Sequence, residues 1–249
     1  MHRHQNSSLF HFTRTADALC AILDEGFWPK YCVEDIRWQD FEEGYHFVAF
    51  PITSFCDIPL LRISDHAEFY GKYGIGLSKD WATRKGLNPV LYVQSESAVK
   101  ESFLQIFEFM HRHASSNEKE QGHVDWTRHL LSFVKPLKGQ MHVEGKLLNK
   151  DFYNESEWRY VPKSDQFPSH MLKTEFDNQE QRDHCERLTK KHASLNFVPN
   201  DIRHVFVPTD ADIPRVLDFI LKGLERYSMA ELKILMSRVT SLETVTRDI

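Results

Sequence analysis

Short β-prone runs and amphipathic helical stretches alternate irregularly along the 249 residues, and this order restricts the fold. Residues 9–13, 47–57 and 202–207 are rich in aromatic and aliphatic side chains, as strands are. Between them, apolar residues recur at three- and four-residue intervals, which indicates helices. The order lacks a regular β-α-β rhythm, so it predicts an α+β fold rather than a doubly wound sheet. Because no linker-like stretch marks a boundary, we expect one α+β domain over residues 1–249.

Two parts of the chain have helical patterns. The first is a helical insertion predicted at about residues 97–135, and the second is a C-terminal helical pair predicted at about residues 211–240. The last helix of the pair begins with a capping box made by Ser228 and Glu231. We expect these two C-terminal helices to pack together, on the body of the domain or on a partner.

The composition is that of an ordinary globular protein, with 27% charged and 41% hydrophobic residues. The net charge of −5 argues against a general nucleic-acid binder, although nucleic acid stays open as a substrate. The four cysteines include no CxxC pair and are too few for a disulfide framework. No apolar run approaches the length of about 18 residues needed to cross a membrane, and the N-terminus lacks a signal-peptide pattern. We therefore expect a cytoplasmic protein with no membrane partner.

The most informative polar motif is Glu155-Ser156-Glu157, which leads into the β-prone residues 158–160. Because side chains alternate along a strand, Glu155, Glu157 and Arg159 are predicted to share one face. Two adjacent carboxylates repel each other, and burial would raise the pKa of at least one of them. The motif is therefore a solvated strand face, a pair neutralised by Arg159, or a catalytic pair.

Three other features are candidates for sites. Residues 31–46 are acidic and aromatic without a clear period, which predicts a surface loop or lid. Gly71, Gly74 and Gly76 do not match phosphate-loop spacing and are predicted to let a strand bend or approach another backbone or a ligand closely. The histidines and cysteines lack compact ligand spacing, so no metal site is predicted.

Three elements in sequence order, His11, Thr53-Ser54 and Glu155-x-Glu157, resemble the mono-ADP-ribosyltransferase superfamily. There a first strand orients NAD, a second strand supplies Ser or Thr, and a late E-x-E strand supplies an acid. Such a carboxylate stabilises the positive charge that develops as nicotinamide leaves. The resemblance implies an ADP-ribosyltransferase-like split β-sheet core with peripheral helices, and NAD as a substrate.

A second resemblance covers nearly the full chain. Several long runs are similar to the AbiGi abortive-infection family: residues 10–13, 22–27, 55–60, 73–82, 88–92 and 155–160. The family similarity implies a bacterial phage-resistance protein, with the antitoxin role beside a nucleotidyltransferase-like toxin.

The transferase resemblance also implies roles for individual residues. His11 and Thr13 would contact the NAD ribose, and Ser54 would support the pocket. Tyr73 would stack on the nicotinamide. These four residues are the expected cofactor-binding set.

Glu157 would be the catalytic acid, and Glu155 would position or activate a macromolecular acceptor of ADP-ribose. The alternative is a non-catalytic antitoxin that binds its toxin through the C-terminal helices at residues 212–239. A glycosidase-like hydrolase is disfavoured, because two carboxylates placed two residues apart on one strand do not flank a scissile bond.

Overall fold

The computed structural model describes residues 7–39, 46–112, 118–143 and 146–247. Contacts group the chain into two compact units that are each discontinuous in sequence. Unit 1 comprises residues 1–27, 54–87 and 195–249, and unit 2 comprises residues 28–53 and 88–194. The single domain expected for the whole chain stays a prediction.

The described residues form a mixed α+β structure. The strands are β1 (Ser8–Thr13), β2 (Lys30–Asp35), β3 (Phe47–Cys56), β4 (Tyr73–Ser78), β5 (Asn88–Pro89), β6 (Leu91–Val93), β7 (Val134–Pro136), β8 (Lys138–Val143), β9 (Lys146–Asp151), β10 (Glu157–Tyr160), β11 (Met171–Leu172), β12 (Ile202–Val207) and β13 (Val239–Ser241). The helices are α1 (Ala16–Glu25), α2 (Ile63–Tyr70), α3 (Lys79–Arg84), α4 (Ala98–Arg112), α5 (Glu118–Leu131), α6 (Lys173–Asp177), α7 (Gln179–His192), α8 (Ile213–Gly223), α9 (Met229–Met236) and α10 (Leu242–Arg247). None of these described helices is long and apolar enough to cross a membrane.

The sheet of unit 1 follows the strand order β13-β12-β4-β1. Strand β1 is antiparallel to β4, with His11 opposite Ile75 and Thr13 opposite Tyr73. Strand β12 is antiparallel to β4 and parallel to β13. The strands predicted at residues 9–13 and 202–207 are therefore confirmed.

Two glycines of β4 let aromatic rings of the neighbouring strand lie against it. A Cβ atom added at Gly76 would be 2.7 Å from the Phe10 ring, and one added at Gly74 would be 2.7 Å from the Phe12 ring. At these two positions the closest atoms belong to side-chain rings and not to another backbone.

Two helices of unit 1 have well-defined ends. Helix α1 ends at Gly26, whose φ of 79° is accessible to glycine at little cost. Helix α9 begins with the predicted capping box, in which Ser228 and Glu231 exchange hydrogen bonds. Helices α8 and α9 contact each other and bury their main apolar stripes.

Unit 2 is built on β3, which is antiparallel to both β2 and β11. Tyr31, Ala49, Met171 and Cys185 form a buried cluster where these strands and α7 pack together. Elsewhere in the unit, β10 pairs with β5, β6 with β7, and β8 with β9. The β6–β7 and β12–β13 pairs are parallel, whereas most pairs between the described strands are antiparallel, in agreement with the expected α+β class.

The prediction of a loop or lid at residues 31–46 is wrong for its first part. Residues 31–35 belong to β2, with Tyr31 opposite Pro51 and Asp35 opposite Phe47. The pattern misleads because the polar side chains of β2 have partners within unit 2, including an ion pair of Glu34 with Arg159. Residues 40–45 of the predicted loop lie outside the described residues.

Candidate functional site

The Glu-x-Glu motif belongs to a cluster of six charged side chains in unit 2, here called the ion cluster. Three are carboxylates and three are cations, so their formal charges balance. Its members are Glu34, Lys135, Lys150, Glu155, Glu157 and Arg159. Glu155 exposes 6% of its surface, Glu157 7% and Arg159 1%, so the motif is not a solvated strand face.

Arg159 is the most deeply buried member of the ion cluster. Its Nε and Nη2 atoms donate to the two carboxylate oxygens of Glu157, at 2.8 and 3.1 Å. Nη2 also donates to Glu34 Oε1 at 2.8 Å, and Nη1 donates to the Ser132 carbonyl at 2.5 Å. Such two-pronged guanidinium–carboxylate pairs are among the strongest charge-assisted hydrogen bonds.

Lys135 links the two glutamates of the motif. Its Nζ atom is 3.2 Å from Glu155 Oε2 and 3.1 Å from Glu157 Oε2. The same ammonium lies 4.4 Å from the centre of the Phe152 ring, a cation–π distance. Glu155 has a second cation, Lys150, at 2.6 Å.

The two glutamates do not lie on one strand, which corrects the prediction. Glu155 ends a 3-10 helix over Phe152–Glu155, and Glu157 begins β10. Ser156 between them has a φ of 44°, in the left-handed region. This turn still directs both carboxylates to Lys135, and Arg159 shares the buried face of β10 with Glu157 as expected.

The charged forms of Glu155 and Arg159 are stabilised by their partners in the ion cluster. Burial would by itself raise the pKa of Glu155, but Lys135 and Lys150 outweigh it and lower that pKa. Burial would likewise lower the pKa of Arg159, yet Glu157 and Glu34 raise it. Glu155 therefore stays ionised at neutral pH, and Arg159 stays a cation.

A cavity of about 730 Å³ lies beside the ion cluster within unit 2. Glu34 and Lys135 belong to both the ion cluster and the cavity wall. Much of the remaining wall is aromatic: Tyr31, Trp38, Phe47, Phe152 and Phe176. The volume is within the range of about 300–1,000 Å³ that is usual for ligand-binding pockets.

The expected cofactor-binding residues lie in unit 1. The backbone carbonyl of Ser54 is 2.9 Å from His11 Nδ1, and the His11 ring lies 5.0 Å from Phe27 and 5.6 Å from Phe55. Burial lowers the pKa of His11, so the ring is neutral at pH 7. These contacts hold His11 between aromatic rings of unit 1.

Thr13 and Tyr73 are opposite each other in the β1–β4 ladder. The Tyr73 hydroxyl donates to Asp212 Oδ1 at 3.2 Å. Unit 1 therefore contains the whole expected cofactor-binding set, and unit 2 contains the expected catalytic pair. The roles assigned to these residues stay predictions.

Sequence reasoning missed half of the ion cluster. Lys135 and Lys150 carry no motif, and Glu34 falls within the predicted loop. The sequence feature that points to the ion cluster is Arg159. It lies two residues after Glu157, on the same face of the strand, where it can neutralise the Glu157 carboxylate. Among the described residues, no group of three or more His, Cys, Asp or Glu side chains is placed to hold a metal ion.

Comparison with known proteins identifies the family to which the chain belongs. A family model described as "Putative abortive phage resistance protein AbiGi, antitoxin" matches residues 25–208, which is more than half of the chain. A protein of Lactococcus lactis subsp. cremoris named "Abortive phage resistance protein AbiGi" is 29% identical over 250 residues, covering 89% of this chain and 99% of the relative. No solved structure matches the chain. The chain thus belongs to the AbiGi family of abortive phage-resistance proteins.

Proposed function

We propose that this chain is a non-catalytic antitoxin of phage defence, which binds a partner toxin and neutralises it. The main observation behind the proposal is that the carboxylate of Glu157 is fully engaged by neighbouring cations. Both of its carboxylate oxygens accept hydrogen bonds from Arg159, and one of them also accepts from Lys135. The negative charge of a carboxylate that is already paired with two cations contributes little electrostatic stabilisation to a developing positive charge. The family description as an antitoxin supports the same conclusion.

Neutralisation can be tested by co-expression. The probe is the nucleotidyltransferase-like toxin that the family resemblance implies, taken from the same genome and placed under an inducible promoter. We expect growth arrest with the toxin alone and normal growth when this chain is present. We also expect the two purified proteins to elute together in size-exclusion chromatography. Growth rescue without co-elution would contradict binding as the mechanism.

NAD-dependent ADP-ribosyl transfer, on an ADP-ribosyltransferase-like fold, stays the competing prediction. It requires release of nicotinamide from NAD, in the presence or absence of the toxin as acceptor. The antitoxin proposal expects no release above the buffer rate. Release that is lost in Glu157→Gln but kept in a surface control, Glu243→Gln, would overturn the proposal.

The apolar side chains available to a partner differ between the helices. In unit 1, Met229 and Ile234 of α9 are 55% and 45% exposed, whereas the main stripes of α8 and α9 are buried. In unit 2, Ile106 of α4 is 58% exposed and Trp126 of α5 is 62% exposed. The C-terminal pair that the sequence suggests for toxin binding therefore keeps a small set of exposed apolar side chains beside its buried stripes.

A further inference from the structure

The cavity of unit 2 follows the edge of strand β2. Five consecutive residues of this strand line it, from Tyr31 to Asp35. Successive side chains of a strand point to opposite faces, so a cavity that touches all five runs along the strand edge rather than over one face. Strand β2 pairs with β3, and with no other strand in the described part of the chain.

A second strand also lines the cavity. Lys138, Gly139 and Gln140 are consecutive residues of β8, and all three line the cavity. Strand β8 pairs with β9, which is its one partner among the strands that the structure describes. The cavity is thus a groove lined by two strands, each with one partner among the described strands.

We propose that this groove accepts an extended segment of the partner toxin, which adds to the edge of β2 as a further strand. The inference rests on the antitoxin function proposed above. An unpaired strand edge presents a row of backbone donors and acceptors, and these are satisfied by another extended chain. Five residues of such a strand span about 16 Å, at about 3.3 Å per residue.

The wall of the groove indicates which side chains the segment carries. Trp38 and Phe47 lie near one end of β2, and Phe152 and Phe176 complete an aromatic lining. This lining suits apolar side chains at alternate positions of the added strand.

The charges of the groove indicate an acidic residue as well. Asp35 is paired with Arg37, and Glu34 with Arg159. Lys138 is the most exposed charge of the wall, with 78% of its side chain exposed and Asp151 at 3.7 Å. A carboxylate on the bound segment would meet this ammonium.

Hydrogen exchange of the full chain, alone and with the purified toxin, tests the groove. In the free chain we expect faster exchange on the outer edge of β2 than in the paired strand β4. In the complex we expect slower exchange at residues 31–35 and 138–140. Protection confined to α4–α5 or to α8–α9 would overturn the groove but leave the antitoxin function intact. Absence of any complex would overturn both.

Two matched pairs of variants add a second readout. Cys32 is exposed and lines the groove, so Cys32→Trp should fill it and abolish the complex, while Cys32→Ser should bind as the parent does. Lys138→Glu should weaken binding by about tenfold through charge repulsion, whereas Lys222→Glu, 79% exposed on α8, should not. Thermal unfolding confirms that each variant is folded. Folded Cys32→Trp and Lys138→Glu proteins that bind normally would contradict the proposal.

Discussion

Arg159 binds two of the three carboxylates of the ion cluster. It hydrogen-bonds Glu157 twice, Glu34 once and the Ser132 carbonyl once, and it is 1% exposed. Removing one partner of a buried ion pair leaves an uncompensated charge, which costs about 3–5 kcal/mol. We therefore expect Arg159→Met to lower the free energy of unfolding in urea by about that amount.

A surface ion pair provides the control for Arg159→Met. Arg215 pairs with Asp17, and these side chains are 60% and 86% exposed. Arg215→Met should change the free energy of unfolding by about 0–1 kcal/mol. Equal effects of the two substitutions would show that the ion cluster does not stabilise the fold.

Glu155 makes stability depend on pH in a defined direction. Its pKa in the folded protein is lowered, because Lys135 and Lys150 outweigh the effect of burial. Its contribution to stability is therefore complete above the unfolded-state pKa of about 4.3 and is lost as pH falls through the lower folded-state value. The difference in unfolding free energy between the parent and Glu155→Gln should shrink below about pH 4.3. A difference that stays constant from about pH 7 to about pH 3 would contradict this assignment.

At the scale of elements, the turn before β10 places the two carboxylates. Ser156 has a φ of 44°, and a left-handed residue other than glycine is strained by about 1–2 kcal/mol. Ser156→Gly should keep or raise the thermal midpoint. Ser156→Val should lower the free energy of unfolding by about 1–2 kcal/mol, because β-branched residues tolerate this region poorly. If both variants unfold alike, the turn does not have this backbone conformation.

Local sequence patterns predicted individual strands and helix ends better than they predicted which distant residues contact each other. The strand at residues 9–13 and the capping box at Ser228 depend on neighbouring residues, and the structure has both. Strand β2 was not predicted because its polar side chains pair with residues far away in the sequence. Glu34, for example, forms an ion pair with Arg159. Hydrophobic periodicity does not record such long-range pairing.

At the scale of the whole molecule, the ion cluster too could be predicted only in part, because its members come from distant parts of the sequence. Sequence reasoning identifies Glu155, Glu157 and the neutralising Arg159, which lie within five residues of one another. It does not identify Lys135 or Lys150, which reach Glu155 from two other strands. These two cations contact the carboxylates of the motif and complete the charge balance of the ion cluster.

The division into two units also bears on function. The ion cluster and the groove belong to unit 2, and the His11 contacts belong to unit 1. In the antitoxin proposal, Glu157 stabilises the fold of unit 2 through its bonds to Arg159 and Lys135. If Glu157 has this structural role, it can be replaced together with its partner Arg159 without loss of function.

The most direct test is the double variant Glu157→Gln/Arg159→Met in the growth-rescue assay. It removes one carboxylate and one cation together, so the remaining charges of the ion cluster, from Glu34, Lys135, Lys150 and Glu155, still balance. Replacing both members of a buried pair is often neutral for stability. We predict a folded protein that rescues growth from the toxin as well as the parent does. A folded double variant that fails to rescue growth, beside a parent chain that releases nicotinamide from NAD, would contradict the structural role of Glu157.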